Sequence, residues 1–220
     1  MLPNGIRILT SSFRHTNAVS IIFLFGAGSR YETPELAGAS HLFEHMLFKG
    51  TPERPTPRAI SEVVEGVGGT LNAFTDREVT GYWCRLAQPN YRDGIDLLSD
   101  MTLNSIFREE DIAKEKQVVY EEIRASFDSP AARASMLLDD LLWPDQPMGR
   151  DIAGSVKSVE AISRDEMCKY LETQYVGSNT VIAIAGNIEH QDVVDQITNS
   201  LGSLHDGDIL PMFPHEKKDI

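Results

Sequence analysis

Five consecutive residues, His41-Leu42-Phe43-Glu44-His45, set two imidazoles four positions apart with a carboxylate beside the second. On a helix that spacing is about one turn, so both rings lie on one face, where a single metal ion can take a nitrogen from each. Glu44 falls on the same half of the helix. The chemistry of such a set is hydrolysis: a bound ion lowers the pKa of its water, and the neighbouring carboxylate accepts the proton. Leu42, Phe43, Met46, Leu47 and Phe48 are apolar, so the helix is expected to be buried and its three polar side chains need partners. A metal with its water satisfies all three. The plainer alternative is a pair of core histidines bonded to backbone, with Glu44 at a polar edge.

A catalytic metal of this kind usually takes three protein ligands and keeps one position for water, so a third ligand must come from elsewhere. The segment 109–127 reads as a helix and offers the acidic candidates. Lys114, Gln117, Glu121, Arg124 and Asp128 recur at helical spacing and are all polar, which marks a solvent stripe and turns Glu121 outward. Glu115, Val118 and Glu122 form another stripe beside the apolar Ile112, Val119 and Ile123, and are expected to point toward the core. A carboxylate there is costly unless it is paired or bound to metal. Spacing therefore favours Glu115 or Glu122 over Glu121 and leaves those two undecided.

The elements that must position these residues follow from periodicity and punctuation. Strands are expected at 6–9, 18–25, 70–75, 79–86 and 180–185, the third and fourth forming a hairpin. Helices are expected from Thr33-Pro34 to about residue 48, stopped by Gly50, and from Thr56-Pro57 to the glycines at 66–69. Others are expected at 89–104, 109–127, 131–142, 164–174 behind the Ser163 cap, and 191–201. Gly26-Ala27-Gly28-Ser29 lacks the third glycine and the Lys-Ser/Thr ending of a phosphate loop and reads as a turn. Strands and helices interleave around a hairpin, so the expected fold class is α+β, a mostly antiparallel or mixed β-sheet with helices packed on one face. Residues 1–201 read as one domain. The aperiodic stretch 202–220, rich in Gly, Asp, Pro and Lys, reads as a linker.

A chain of 220 residues with 41% hydrophobic content can bury a substantial core. Its formal charge of −13, without a cluster of Lys and Arg, argues against a nucleic-acid partner. An acidic surface serves solubility and favours basic peptides. No stretch approaches the roughly 20 apolar residues of a membrane helix, and the first residues lack a signal-peptide pattern, so a cytoplasmic, bacterial-type protein with no membrane partner is expected. Cys84 and Cys168 lack C-x-x-C spacing and read as ordinary thiols.

H-x-x-E-H is the inverted zinc-peptidase order. The run from His41 to Thr51, followed by Leu71-Asn72-Ala73-Phe74-Thr75 and by Glu115-Lys116-Gln117-Val118-Val119-Tyr120-Glu121-Glu122-Ile123, resembles the pitrilysin/insulinase peptidases, family M16. Within that family it is most similar to bacterial relatives of the mitochondrial processing peptidase β subunit. The resemblance extends from Leu2 to about Leu201. It implies the LuxS/MPP-like metallohydrolase fold, one zinc ion per chain, and a third ligand 77 positions after the second histidine, which is Glu122. It further implies a supporting carboxylate seven residues earlier, Glu115, which would orient a ligand histidine, with Glu44 as general base. Asn72, Ala73, Phe74 and Thr75 would belong to an edge strand that pairs with an extended peptide substrate. The bland reading of that segment is a hairpin strand paired on both sides.

Family members consist of two similar halves that close on each other, the second supplying an Arg and a Tyr near the metal. The resemblance thus implies as partner a C-terminal half or a homologous subunit. An inner face left open would favour self-association, a homodimer among the possibilities. Two rival function classes are a non-catalytic subunit of the same fold, against which the intact His41, Glu44, His45 and Glu122 argue, and a zinc hydrolase of small molecules, which would need a closed pocket in place of a free strand edge.

Overall fold

The computed structural model describes residues 1–209. Strands form where β-branched and aromatic residues concentrate: β1 (Arg7–Ser12), β2 (Ala18–Phe25), β3 (Thr70–Thr75), β4 (Thr80–Ala87) and β5 (Thr180–Gly186). They make one sheet in the order β1-β5-β2-β4-β3, with β1 parallel to β5 and the other pairings antiparallel. Side chains alternate across it: Val19, Ile21, Phe23 and Phe25 of β2, Tyr82, Cys84 and Leu86 of β4, and Ile182 and Ile184 of β5 are buried on one face. Among the described residues β3 pairs only with β4, so it is an edge.

The helices are α1 (Ala39–Leu47), α2 (Pro57–Glu65), α3 (Tyr91–Asn104), α4 (Glu109–Asp128), α5 (Pro130–Leu142), α6 (Val156–Ala161), α7 (Arg164–Gln174) and α8 (His190–Leu201). The result is the expected mixed sheet with packed helices. The short α1 has little helix-forming strength of its own and is held by what it buries. Leu42, Phe43, Met46 and Leu47 are fully buried, each contributing about 1.5–3 kcal/mol on folding. Phe43 packs on Phe107, Tyr170 and Tyr175 with ring centroids 5.2, 5.6 and 4.7 Å away.

Three local expectations are corrected. The helix expected from residue 33 does not run through: Pro34–Leu36 is a single 3-10 turn, Ala37 is extended, and Gly38 lies at φ 93° before α1 begins at Ala39. A Cβ at Gly38 would also stand 2.5 Å from the Ala153 carbonyl oxygen, so both conformation and space require glycine. His41 therefore occupies the first turn of its helix rather than the middle. The first strand is displaced to Arg7–Ser12 by its register with β5. The six-residue α6 was missed because it is too short to show periodicity, although Ser155 and Ser158 form a capping box at its start.

Both cysteines are free thiols, Cys84 buried and its pKa pushed up to about 12 by burial. No helix among the described residues is long and apolar enough to cross a membrane. Beyond α8 the chain stays on the domain: the N–H groups of Gly177 and Ser178 donate to the carbonyls of His205 and Asp206 at 2.7 and 3.0 Å. Of the expected linker, residues 210–220 lie outside the described residues.

Candidate metal centre

The first helical turn of α1 carries His41 and the next carries Glu44 and His45. The α4 helix lies alongside and brings Glu115 and Glu122 to the two rings. Glu122 Oε2 is 3.6 Å from His41 Nε2 and 3.6 Å from His45 Nε2. One ligand atom from each of the three residues lies within 4.8 Å of the others. Two donors each about 2.0–2.1 Å from a tetrahedral zinc ion are about 3.3 Å apart, so the set is close to the size such an ion needs. Two imidazole nitrogens and a carboxylate oxygen also match its donor preference.

The ring of His45 is oriented from behind. Its Nδ1 donates to Glu115 Oε2 at 3.1 Å, which fixes the tautomer and leaves the Nε2 lone pair toward Glu122. The other oxygen of Glu115 is 2.6 Å from Lys49 Nζ, so a buried carboxylate is matched by a cation. His41 differs: its Nδ1 is buried and has no hydrogen-bond partner among the described residues. Burial first, and then His45 beside it, push the pKa of His41 down to about 4, so the imidazole is neutral near pH 7. That is the form that ligates a metal.

Glu44 is not one of the three donors. Its carboxylate accepts a bond from Thr75 Oγ1 at 2.5 Å, which ties it to the last residue of edge strand β3. Burial raises its pKa above the usual carboxylate range, opposed by the Thr75 bond and by His45. Its neighbours on β3 are Phe74, 39% exposed, the exposed Asn72, and Ala73, whose N–H donates to the Asn72 side chain at 2.8 Å.

The α4 stripe needs one correction. Glu115 is buried as expected, but Val118 is 43% exposed and the Glu122 side chain 46% exposed, so the stripe runs from the core out to an open surface instead of staying inside. The buried face of this helix is centred on Ile112, Val119 and Ile123, and Val118 and Glu122 lie at its flank. Glu121 points outward and pairs with Arg124, as its stripe required. Sequence reasoning missed Lys49 and the Thr75–Glu44 bond. Lys49, four residues after His45, carried a usable signal as the one cation at the end of an apolar helix.

Residues 7–156 match the family model described as Insulinase (Peptidase family M16), and residues 161–219 match the one described as Peptidase M16 inactive domain. A protein of Rickettsia bellii named an uncharacterized zinc protease is 37% identical over 207 residues, covering 94% of this chain and 50% of that protein. A protein of Arabidopsis thaliana named a probable mitochondrial-processing peptidase subunit beta is 37% identical over 199 residues, covering 89% of this chain and 37% of its own length. Among solved structures, a protease from Helicobacter pylori superposes with a TM-score of 0.90 at 22% identity, over 98% of this chain and 52% of that one. The first half of the periplasmic protease PqqL from Escherichia coli gives 0.87 at 21% identity, over 99% and 48%. The chain thus spans about half the length, or less, of these relatives.

Proposed function

Because the chain belongs to the insulinase family of peptidases, family M16, we propose that it is the metal-bearing half of a zinc endopeptidase acting on extended or unfolded peptides. His41, His45 and Glu122 hold one zinc ion, Glu115 orients His45, and Glu44 is the general base. The observation that carries this reading is the Thr75–Glu44 bond, which joins a free strand edge to a carboxylate beside three metal-ligating atoms.

When bound, zinc lowers the pKa of its water to about 7 and polarises the scissile carbonyl. Glu44 takes the proton of the attacking water and returns it to the leaving amine. Thr75 holds that carboxylate in place by its hydrogen bond, and the buried apolar side of α1 keeps water from behind it. Backbone groups of Asn72, Ala73, Phe74 and Thr75 pair with the peptide as an added strand, so affinity depends little on substrate sequence. The sheet edge and the half-exposed Glu122 leave the centre open on one side, which favours a peptide over a small molecule in a closed pocket. The remaining length of the relatives supplies the partner half, whose groups would hold the substrate across the metal, and without them the rate falls by about 10² to 10³.

The test is zinc content together with hydrolysis of an unfolded, basic peptide by the 220-residue chain, alone and with a full-length relative's second half added. Zinc binding with weak cleavage that rises on addition supports the reading. Zinc binding with no cleavage by any assembly refutes it, and full activity of the chain alone removes the need for a second half.

A further inference from the structure

The first turn of α1 is capped by a residue outside the helix. Gly38, at the cap position, offers no side chain, and the N–H groups at the start of a helix need acceptors. Glu32, six residues upstream and 2% exposed, supplies them. Its Oε2 accepts the Gly38 N–H at 2.8 Å, and its Oε1 accepts the Ser40 N–H at 2.7 Å and the Ser40 hydroxyl at 2.5 Å. Because Ser40 Oγ gives its proton to the carboxylate, Tyr170 donates to Ser40 across 2.7 Å, which links α7 into the same chain of bonds. Arg150 closes the loop by donating to the backbone carbonyl of Glu32. A carboxylate at a helix N-terminus also meets the positive end of the helix dipole.

The residue after Ser40 is His41. Among the described residues its Nδ1 has no hydrogen-bond partner to orient the ring, so the position of its Nε2 is set by the backbone and by packing. We propose that Glu32 is a positioning residue for the metal centre, acting through the first turn of α1 to place His41 as Glu115 places His45 through its ring. This rests on the reading of His41, His45 and Glu122 as zinc ligands. Glu32 touches neither substrate nor metal. Its carboxylate has two acceptor oxygens for three donors in two places, and no neutral isostere can reproduce that: Gln would turn an NH2 toward the N–H of either Gly38 or Ser40.

The test is a zinc titration of the metal-free chain against a competing chelator, for wild type, Glu32→Gln, Ser40→Ala, Glu122→Gln and Val193→Ala. Val193 is fully buried on α8, and its substitution serves as a control that costs stability elsewhere. Glu32→Gln is expected to weaken zinc binding by about 10-fold to 100-fold, the size seen when support behind a ligand is lost, and Ser40→Ala to weaken it less. Val193→Ala is expected to lower the melting temperature and leave zinc affinity near wild type. Wild-type affinity in folded Glu32→Gln overturns the proposal, as does an equal loss in the Val193→Ala control. If Glu32→Gln does not fold, Ser40→Ala decides, since unchanged affinity there shows the cap to be purely structural. If Glu122→Gln binds zinc as wild type does, the ligand reading itself fails and this proposal falls with it. Loss in Glu122→Gln but not in the cap variants sinks the positioning role alone.

Discussion

At the C-terminal end of α1, His45 is gripped through its ring by Glu115, with Lys49 behind that carboxylate, whereas at the N-terminal end His41 has no ring contact of this kind and takes its place from the backbone. Both ends meet at Glu122 with the same 3.6 Å separation. The two histidines proposed to share one ion are thus held by different physics. A ring fixed by one side chain is sensitive to that side chain, while a ring fixed by its helix inherits any change in how the helix begins.

The largest expected effect lies where the two ends converge. Glu122→Gln removes the shared carboxylate, and tight zinc binding should be lost whichever histidine is better held; calorimetric titration measures it, and wild-type affinity would show that the third ligand lies elsewhere. Next is Glu44→Gln, which touches neither grip. Zinc content should be unchanged while peptide hydrolysis in the active assembly falls by about 10²-fold to 10⁴-fold, and near wild-type turnover with zinc bound would take Glu44 out of the mechanism.

The C-terminal grip is probed by Glu115→Gln, expected to weaken zinc binding by roughly 10-fold to 100-fold. Lys49→Met should act in the same direction and no more strongly, because it loosens Glu115 without removing it. A Lys49 effect larger than that of Glu115 would mean that the lysine has a role of its own. The smallest effect is expected from Glu121→Gln, one residue from the proposed ligand but turned to solvent against Arg124. Exposed pairs of this kind contribute little, so both affinity and melting temperature should stay close to wild type, and a clear loss of zinc would mean the helix is rotated from the position described.

What was legible in the sequence follows the same division. The C-terminal grip could be read in part: periodicity put Glu115 and Glu122 on one stripe of a long helix, but only the family resemblance told them apart, and Lys49 was missed. The N-terminal arrangement could not, because it depends on the left-handed Gly38 and on a loop residue folding back over the helix start, and neither leaves a periodic trace. The strand pattern was legible for β2, whose burial alternates strictly, while β1 has mostly exposed residues and its register came from pairing with β5. Glu122 was expected too deep because its stripe lies at the flank of the buried face of α4, which is centred on Ile112, Val119 and Ile123. The free edge of β3 was likewise beyond the residues alone, since a strand's sequence does not say how many neighbours it has.

The bond between Thr75 and Glu44 has a consequence for where a chain would be cut. A strand advances about 3.4 Å per residue, and a peptide added to β3 can shift only in whole residues while keeping its backbone bonds. With the proposed base Glu44 bonded to the last residue of that strand, the register of pairing would decide which peptide bond comes to rest beside the carboxylate. In the proposed endopeptidase the edge would work as a ruler whose zero mark is Thr75, measuring position along the substrate rather than reading the residues at the cut.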